Sequence, residues 1–212
     1  MENSDSDRLF YIYGGVTAAK KSIKKFTSAL LRHPQKINWT KVSYKMGQVL
    51  EQYVNDTDIF IYISSHPNYD LYDTCIHGQA TVPNRYDYEK DIEIHVDISE
   101  DLFYNRILIT PEYIQYFERM FVLTFIHELT HTTQYDDKVK EQLSGSKREQ
   151  YLSSSFELDA YSTECAYEML QNGGKRTTTE AYLRYNSVRD RQVFRKFRDM
   201  VLEKFTYLKN HK

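Results

Sequence analysis

The sequence predicts an α+β protein, mostly helical, with a small mixed β-sheet and a long buried helix carrying the motif HExxH. Three observations predict it. Gly and Pro number only 7 and 4 in 212 residues, too few for a many-stranded β-protein with a turn every ten residues or so. Residues 91–98 (DIEIHVDI) alternate apolar and polar side chains strictly, the period of a half-exposed strand. Residues 110–136 open on a helix-start signal and are apolar almost all round, as helices in the centre of a domain are.

The elements follow in chain order. Residues 1–8 are polar and acidic and read as a flexible tail. In 16–32, Ile23, Phe26, Leu30 and Leu31 recur at helical spacing with lysines opposite. In 39–53, Val42, Met46, Val49, Leu50 and Tyr53 share one side of a second helix. Residues 58–64 (DIFIYIS) are β-branched and aromatic, hence a strand. Pro67, Gly78 and Pro83 punctuate 65–90, which reads as irregular. After the strand at 91–98, Thr110 can cap a helix, Pro111 suits its first position and Glu112 its positive end. Residues 137–149 are charged, contain Ser-Gly-Ser and read as an exposed loop. A helix at 150–172 stops at Gly173-Gly174, and Thr177 with Glu180 resembles a capping box opening a last helix over 178–209. The organisation is therefore a tail (1–8), a basic helical segment (9–56) packed on a core (57–174), and a basic C-terminal helix (175–212), together one compact domain.

Composition excludes several classes. An apolar fraction of 41% supports a packed core and argues against disorder. Cys75 and Cys165 form no CxxC pair, so neither a disulfide scaffold nor a cysteine zinc site is expected. The start, MENSDSDRLF, has no apolar signal region, and the strongly apolar stretch near 121–126 is far short of the ~20 residues of a membrane span. The expectation is a soluble cytoplasmic protein without a membrane partner.

The net charge of −2 conceals a block pattern. Residues 9–50 hold eight basic and no acidic residues, 175–212 hold eleven basic and four acidic, and 51–174 carry −15. The flanks, including Arg184, Arg189, Arg191, Arg195 and Arg198, suit an acidic partner or a nucleic acid. Tyr182, Tyr185, Phe194 and Phe197 interleave with these arginines at helical spacing, which marks core, and no recognition motif accompanies them. Nucleic acid is therefore the disfavoured partner. The favoured alternative is internal, with basic helices packed around an acidic middle.

The chemistry sits on the buried helix, in His127-Glu128-Leu129-Thr130-His131. Histidines at i and i+4 leave one face of a helix and can bind one Zn²⁺. Glu128, one step round from His127, can take a proton from metal-activated water instead of ligating. A catalytic zinc needs a third protein ligand. After His131 the only histidine is His211, so a carboxylate is favoured. The leading candidate is Glu157, on a helix returning from the loop, with Glu164 and Asp159 as alternatives. Glu157, Tyr161, Glu164 and Glu168 share a face of that helix. Asp136 and Asp159 are candidates to orient the ligand histidines.

The HELTH helix followed by a helix with the ELDAY turn resembles the gluzincin branch of the zincin metallopeptidases, similar to lethal-factor-like and small phage-encoded members. The resemblance covers roughly 91–172 and implies a zincin-like core over 57–174 with one Zn²⁺. Residue by residue it implies His127, His131 and Glu157 as metal ligands and Glu128 as general base in hydrolysis of a peptide or protein substrate. It also implies a Tyr or His donor for the oxyanion, for which Tyr151 and Tyr161 are the candidates. It further implies that substrate adds to the edge strand before the active helix. Residues 91–98 fit that place, so Ile94, His95 and Val96 are the expected substrate contacts. The alternative is a structural or interaction protein that keeps this fold.

Overall fold

The structure is a computed structural model and describes residues 5–31, 37–54, 57–70, 72–81, 90–104, 109–134 and 147–211. In chain order the elements are α1 (Asp5–Leu30), α2 (Trp39–Glu51), β1 (Asp58–His66), β2 (Thr74–Ala80), β3 (Asp91–Ser99), α3 (Glu100–Phe103), α4 (Pro111–Thr132), α5 (Lys147–Ser153), α6 (Ser155–Gln171), a 3₁₀ turn (Arg176–Thr178), α7 (Glu180–Asn186) and α8 (Arg191–Asn210). The protein is α+β, mostly helical, with one small mixed sheet.

The sheet corrects the edge-strand expectation. Its order is β1-β3-β2, with β1 parallel and β2 antiparallel to β3. β3, the strand expected at the edge, is central, and both rims of its backbone are paired. Its alternation reports its two faces, not a free edge. Ile92, Ile94, Val96 and Ile98 are fully buried, while Glu93, His95 and Asp97 lie on the half-exposed side. The edge toward α4 is instead β2, inside the segment read as irregular. Its sequence, TCIHGQA, has few β-branched residues, and pairing with β3 overrides that weak local preference.

The helices bury two apolar clusters. The larger joins the sheet to α1, α2 and α4, and Phe26 of α1 stacks on Phe117 of α4 with ring centroids 4.2 Å apart. The smaller joins α6, α7 and α8, and Tyr185 stacks on Phe197 at 4.1 Å. α4 packs against α6 and so connects the two.

α1 starts well before the expected residue 16, so residues 5–8, read as tail, form its first turns. Gly14-Gly15 looks like a break in sequence, yet both sit inside the helix for close packing. A Cβ on Gly15 would lie 2.8 Å from Leu129 Cδ2 of α4. α4 starts as expected, with Thr110 Oγ1 accepting from Tyr113 N and Pro111 following, but ends at Thr132. Thr133 and Gln134 follow it without helical structure, and the last two residues of its expected run and most of the expected loop at 137–149 lie outside the described residues; the last part of that loop begins α5.

Two long helices of the sequence reading are broken by side-chain caps, which offer the backbone an alternative partner. The run at 150–172 divides at Ser154, whose backbone is extended and whose hydroxyl accepts from Glu157 N. Gly174 N donates to Met169 O at its far end, closing α6 where the glycine pair predicted. The run at 178–209 divides at 187–190, where Asp190 caps α8. Thr179, not Thr177, caps α7, accepting from Tyr182 N.

Phe117→Ala removes a fully buried ring from the larger cluster and is expected to cost ~3–5 kcal/mol. In urea titration the midpoint falls with an unchanged slope. Phe60→Ala, at a 44% exposed position on β1, stays within about 0.5 kcal/mol.

Candidate metal centre

The site lies where α4 faces α6. His127 and His131 leave α4 one turn apart, and the break at Ser154 sets Glu157 in the first turn of α6 opposite them. All three side chains are buried, at 6%, 7% and 8% exposure. His127 Nε2 and His131 Nε2 are 3.0 Å apart. Glu157 Oε2 is 3.3 Å from the former, and Glu157 Oε1 is 3.5 Å from the latter. Ligands ~2.0–2.2 Å from one ion in a tetrahedral array stand roughly 3.3–3.6 Å from each other; both Glu157 separations fall in that range, and the two histidine nitrogens need only move slightly apart to share an ion.

The hydrogen bonds behind the ligands determine which atoms face that point. His127 Nδ1 meets Glu164 Oε1 at 2.5 Å, and His131 Nδ1 meets Gln134 Oε1 at 2.8 Å. The Gln134 amide is oriented by its other end, which donates to Phe156 O at 2.9 Å and Asp159 Oδ2 at 3.0 Å. Both partners of the rings accept, so each Nδ1 carries hydrogen and each Nε2 keeps a lone pair for the shared point. Glu157 Oε2 is buried without a hydrogen bond. Three electron-pair donors thus converge in a buried place, a donor set that a cation satisfies, and the His127–His131–Glu157 group can hold a metal ion.

Without a metal, a proton takes that role. Burial opposes the His127 imidazolium, but the Glu157 and Glu164 carboxylates beside it outweigh that and carry the ring up to about 10. Burial would also raise Glu157, but His127 and His131 beside it hold it at about 2.

Glu128 lies beside the ligands and borders two recesses. The larger, of about 610 Å³, is walled by Gly78, Gln79 and Ala80 of β2, by the three ligands, and by Tyr151 and Phe156. The smaller, of about 250 Å³, has Ile76, Leu123, Tyr151, Tyr161, Glu164 and Arg184 among its walls. Burial raises the Glu128 carboxyl above its ordinary value, while His127 and His131 oppose the shift. A carboxylate raised toward neutrality is a stronger base.

Gly78 is what brings β2 against this carboxylate. A Cβ there would lie 2.5 Å from Glu128 Cγ and 2.8 Å from Glu128 Oε1. The sequence reading missed Gly78, taking it as loop punctuation. A glycine within a strand signals close approach, but only once the strand is known.

The remaining expected site residues divide clearly. Tyr161 packs its ring edge on His127, 4.5 Å between centroids, and its hydroxyl accepts from Arg184 Nη1. Burial pushes that hydroxyl up to about 12. Tyr151 is half exposed at the mouth of both recesses. Glu164, weighed as a third ligand, instead holds His127 from behind. Asp159 also does not ligate and reaches His131 only through Gln134. Asp136 lies outside the described residues. The expected substrate contacts Ile94, His95 and Val96 are overturned: Ile94 and Val96 are in the core, and His95 stacks between Tyr62 and His77 on the opposite sheet face. Centrality of β3 is the reason, since its pairing groups are already used on both sides.

Two cations from the terminal helices reach the site's surroundings. Lys204 of α8 donates to Asp159 Oδ1 at 2.5 Å, and Arg8 of α1 to Asp159 Oδ2 at 2.5 Å. Burial would raise Asp159, but Lys204 and Arg8 hold it at about 2. Lys20, Lys21, Lys24 and Lys25 stay exposed on α1. Among the described residues no helix is long and apolar enough to cross a membrane.

The pKa directions fix the pH behaviour. His127 is raised in the folded protein, so its contribution is full below the unfolded histidine value of ~6.5 and is lost as pH rises toward the folded one. Glu157 and Asp159 are lowered, so theirs is full above roughly pH 4.5 and is lost as pH falls. The metal-free melting temperature is therefore expected to peak between about pH 4.5 and 6.5. Because a metal must displace the His127 proton, its affinity and the melting shift it causes should rise with pH. Differential scanning fluorimetry across pH, with and without added metal, measures both.

No family model, curated protein or solved structure matches the chain.

Proposed function

We propose that the chain is a zinc-dependent metallopeptidase of gluzincin type, with a zincin-like core, acting on an extended stretch of peptide or protein. The observation that carries the reading is the joining of three features at one place. A converging His127–His131–Glu157 donor set lies beside a buried carboxylate, Glu128, of raised pKa. Both border a recess walled by β2, whose outer rim is paired with no strand among the described residues. Two histidines and one glutamate, with room for a further ligand, form the donor set of catalytic zinc sites.

Zinc held there supplies Lewis acidity, which acidifies water and polarises the carbonyl under attack. Glu128 takes the proton of the attacking water on its carboxylate and passes it to the leaving amine nitrogen. The open N–H and C=O groups of β2 bind the substrate backbone as an added strand. Gly78 keeps that strand close enough for the scissile bond to lie beside Glu128. The hydroxyls of Tyr151 and Tyr161 are the donors available to the developing oxyanion, and Arg184 holds Tyr161 in place.

Metal analysis and cleavage of a quenched-fluorescent peptide library test this together. The wild type should contain about one zinc per chain, and Glu128→Gln should retain zinc while losing on the order of 10²–10⁴-fold in cleavage rate. Glu157→Ala, which removes a direct ligand, should weaken zinc binding by at least the ~10–100-fold seen for outer-shell partners. Wild-type protein without zinc overturns the reading, and cleavage undiminished in Glu128→Gln overturns the base. Gly78→Ala should displace Glu128 and lower cleavage roughly tenfold or more, since small misplacements near the reacting atoms are costly. Zinc content should hold, because the atoms nearest a Cβ at 78 belong to Glu128 and not to a ligand.

A further inference from the structure

The smaller recess beside Glu128 has a wall of mixed character. Ile76, Met120 and Leu123 supply apolar surface, while Thr124 and Arg184 are polar. Its volume of about 250 Å³ suits a single side chain, since sites for whole drug-sized ligands run to ~300–1,000 Å³. β2 passes both recesses: Ile76 and His77 border this one, Gln79 and Ala80 the larger, and Gly78 both. A peptide added to β2 therefore crosses from one recess to the other at Glu128. Alternate side chains of such a strand leave by the same face, so a residue close to the scissile bond on the Ile76 side reaches the smaller recess.

Arg184 is the arginine of that wall, and its position is fixed from two sides. Its helix α7 is anchored by Tyr185, which stacks on Phe197 and donates through its hydroxyl to Leu152 O at 2.8 Å. The guanidinium carbon of Arg184 lies 4.8 Å from the centre of the Tyr161 ring, and Nη1 donates to the Tyr161 hydroxyl. A guanidinium has five N–H donors, so most remain for another partner. Arg8, Arg119 and Lys204 each meet a carboxylate at 2.5 Å, whereas no carboxylate among the described residues pairs with Arg184. The glutamates of the same wall are turned elsewhere. Glu164 Oε1 meets His127 Nδ1, Glu180 Oε1 lies 3.9 Å from Arg119 Nη2, and Glu128 lies against Gly78.

We propose that Arg184 is a specificity-determining residue and that the smaller recess takes a carboxylate of the substrate, from an Asp or Glu side chain close to the scissile bond or from the C-terminus of the peptide. The proposal rests on the metallopeptidase reading above and names its substrate class. The planar fork of a guanidinium matches a carboxylate with two parallel N–H···O bonds, which an ammonium cannot reproduce.

The test uses the full chain loaded with zinc. In a peptide cleaved by the wild type, each position near the cleaved bond is set in turn to Glu, Gln or Lys, with a free or an amidated C-terminus. The wild type should prefer Glu to Gln at one position, or the free to the amidated terminus, by about tenfold in kcat/KM, mainly through KM. Which pair differs identifies the source of the carboxylate. Arg184→Gln should bring that ratio close to one, Arg184→Lys should lower it several-fold by removing the fork, and Arg184→Glu should turn the preference to Lys. Arg184 also holds Tyr161, so every variant should lose rate on every peptide; the ratio between peptides cancels that common loss. A wild-type preference for Lys, no preference, or a ratio unchanged in Arg184→Gln overturns the proposal. Arg184 is exposed, so its replacement should leave the fold intact. If Arg184→Gln nevertheless does not fold, Arg184→Lys decides, and an unchanged ratio overturns the proposal. If the wild type holds no zinc or cleaves nothing, the metallopeptidase reading fails separately. The recess is then tested by fluorescence anisotropy with fluorescein-labelled Ala-Ala-Glu-Ala-Ala and its Gln counterpart, each free and amidated. The Kd values should differ about tenfold on the wild type and not on Arg184→Gln. Equal values on the wild type, or no binding, overturns the proposal.

Discussion

Charge buried between α4 and α6 has to be neutralised, and much of the fold is arranged around that need. The inner faces of these two helices carry Glu128, Glu157, Asp159, Glu164 and Glu168, all nearly inaccessible to water. An unpaired buried carboxylate would be costly enough to protonate or to disrupt the packing. Glu157 and Glu164 are met by the α4 histidines, and Glu168 by Arg119 at 2.5 Å. Asp159 draws a cation from each end of the chain. Thus α1, α4 and α8 are tied to α6 by electrostatics as well as by apolar packing.

This constraint accounts for part of the acidic block. The acidic middle is not simply a solvated surface, because several of its carboxylates are turned inward at one helix face. Lys204 of the C-terminal flank and Arg8, just ahead of the N-terminal one, both meet Asp159, while the α1 lysines remain at the surface. Glu157 faces both α4 histidines, with His127 Nε2 at 3.3 Å and His131 Nε2 at 3.5 Å. Structural charge pairing and the candidate site are therefore one network, with the metal position at the point where protein partners run out.

Access to that point comes from irregularities in otherwise regular elements. A helix continuing unbroken through Ser154 would not start its first turn at Glu157, and the hydroxyl cap fixes that start. A strand with a side chain at 78 would be pushed off Glu128. Two small residues, one capping and one lacking a Cβ, thus shape the recess. They are local concessions whose value appears only in the assembled fold.

Features that depend on neighbours along the chain are readable from residue order alone. The spacing of His127 and His131 puts both rings on one face whatever surrounds them, and Thr110-Pro111 starts α4 as read. The strand at β3 and the carboxylate Glu157 were also legible, from strict alternation and from the returning helix. What only the tertiary structure decided was pairing between distant segments. Alternation in β3 cannot distinguish a central strand from an edge strand, because burial of one face is common to both. β2 was hidden because its strand state comes from hydrogen bonds to β3, and Gly78 was hidden with it. Gln134 lies one turn after His131, but its amide is oriented by Phe156 O and Asp159, which the fold brings in from α6. Local spacing sets which side chains share a face; only folding in three dimensions sets what that face meets.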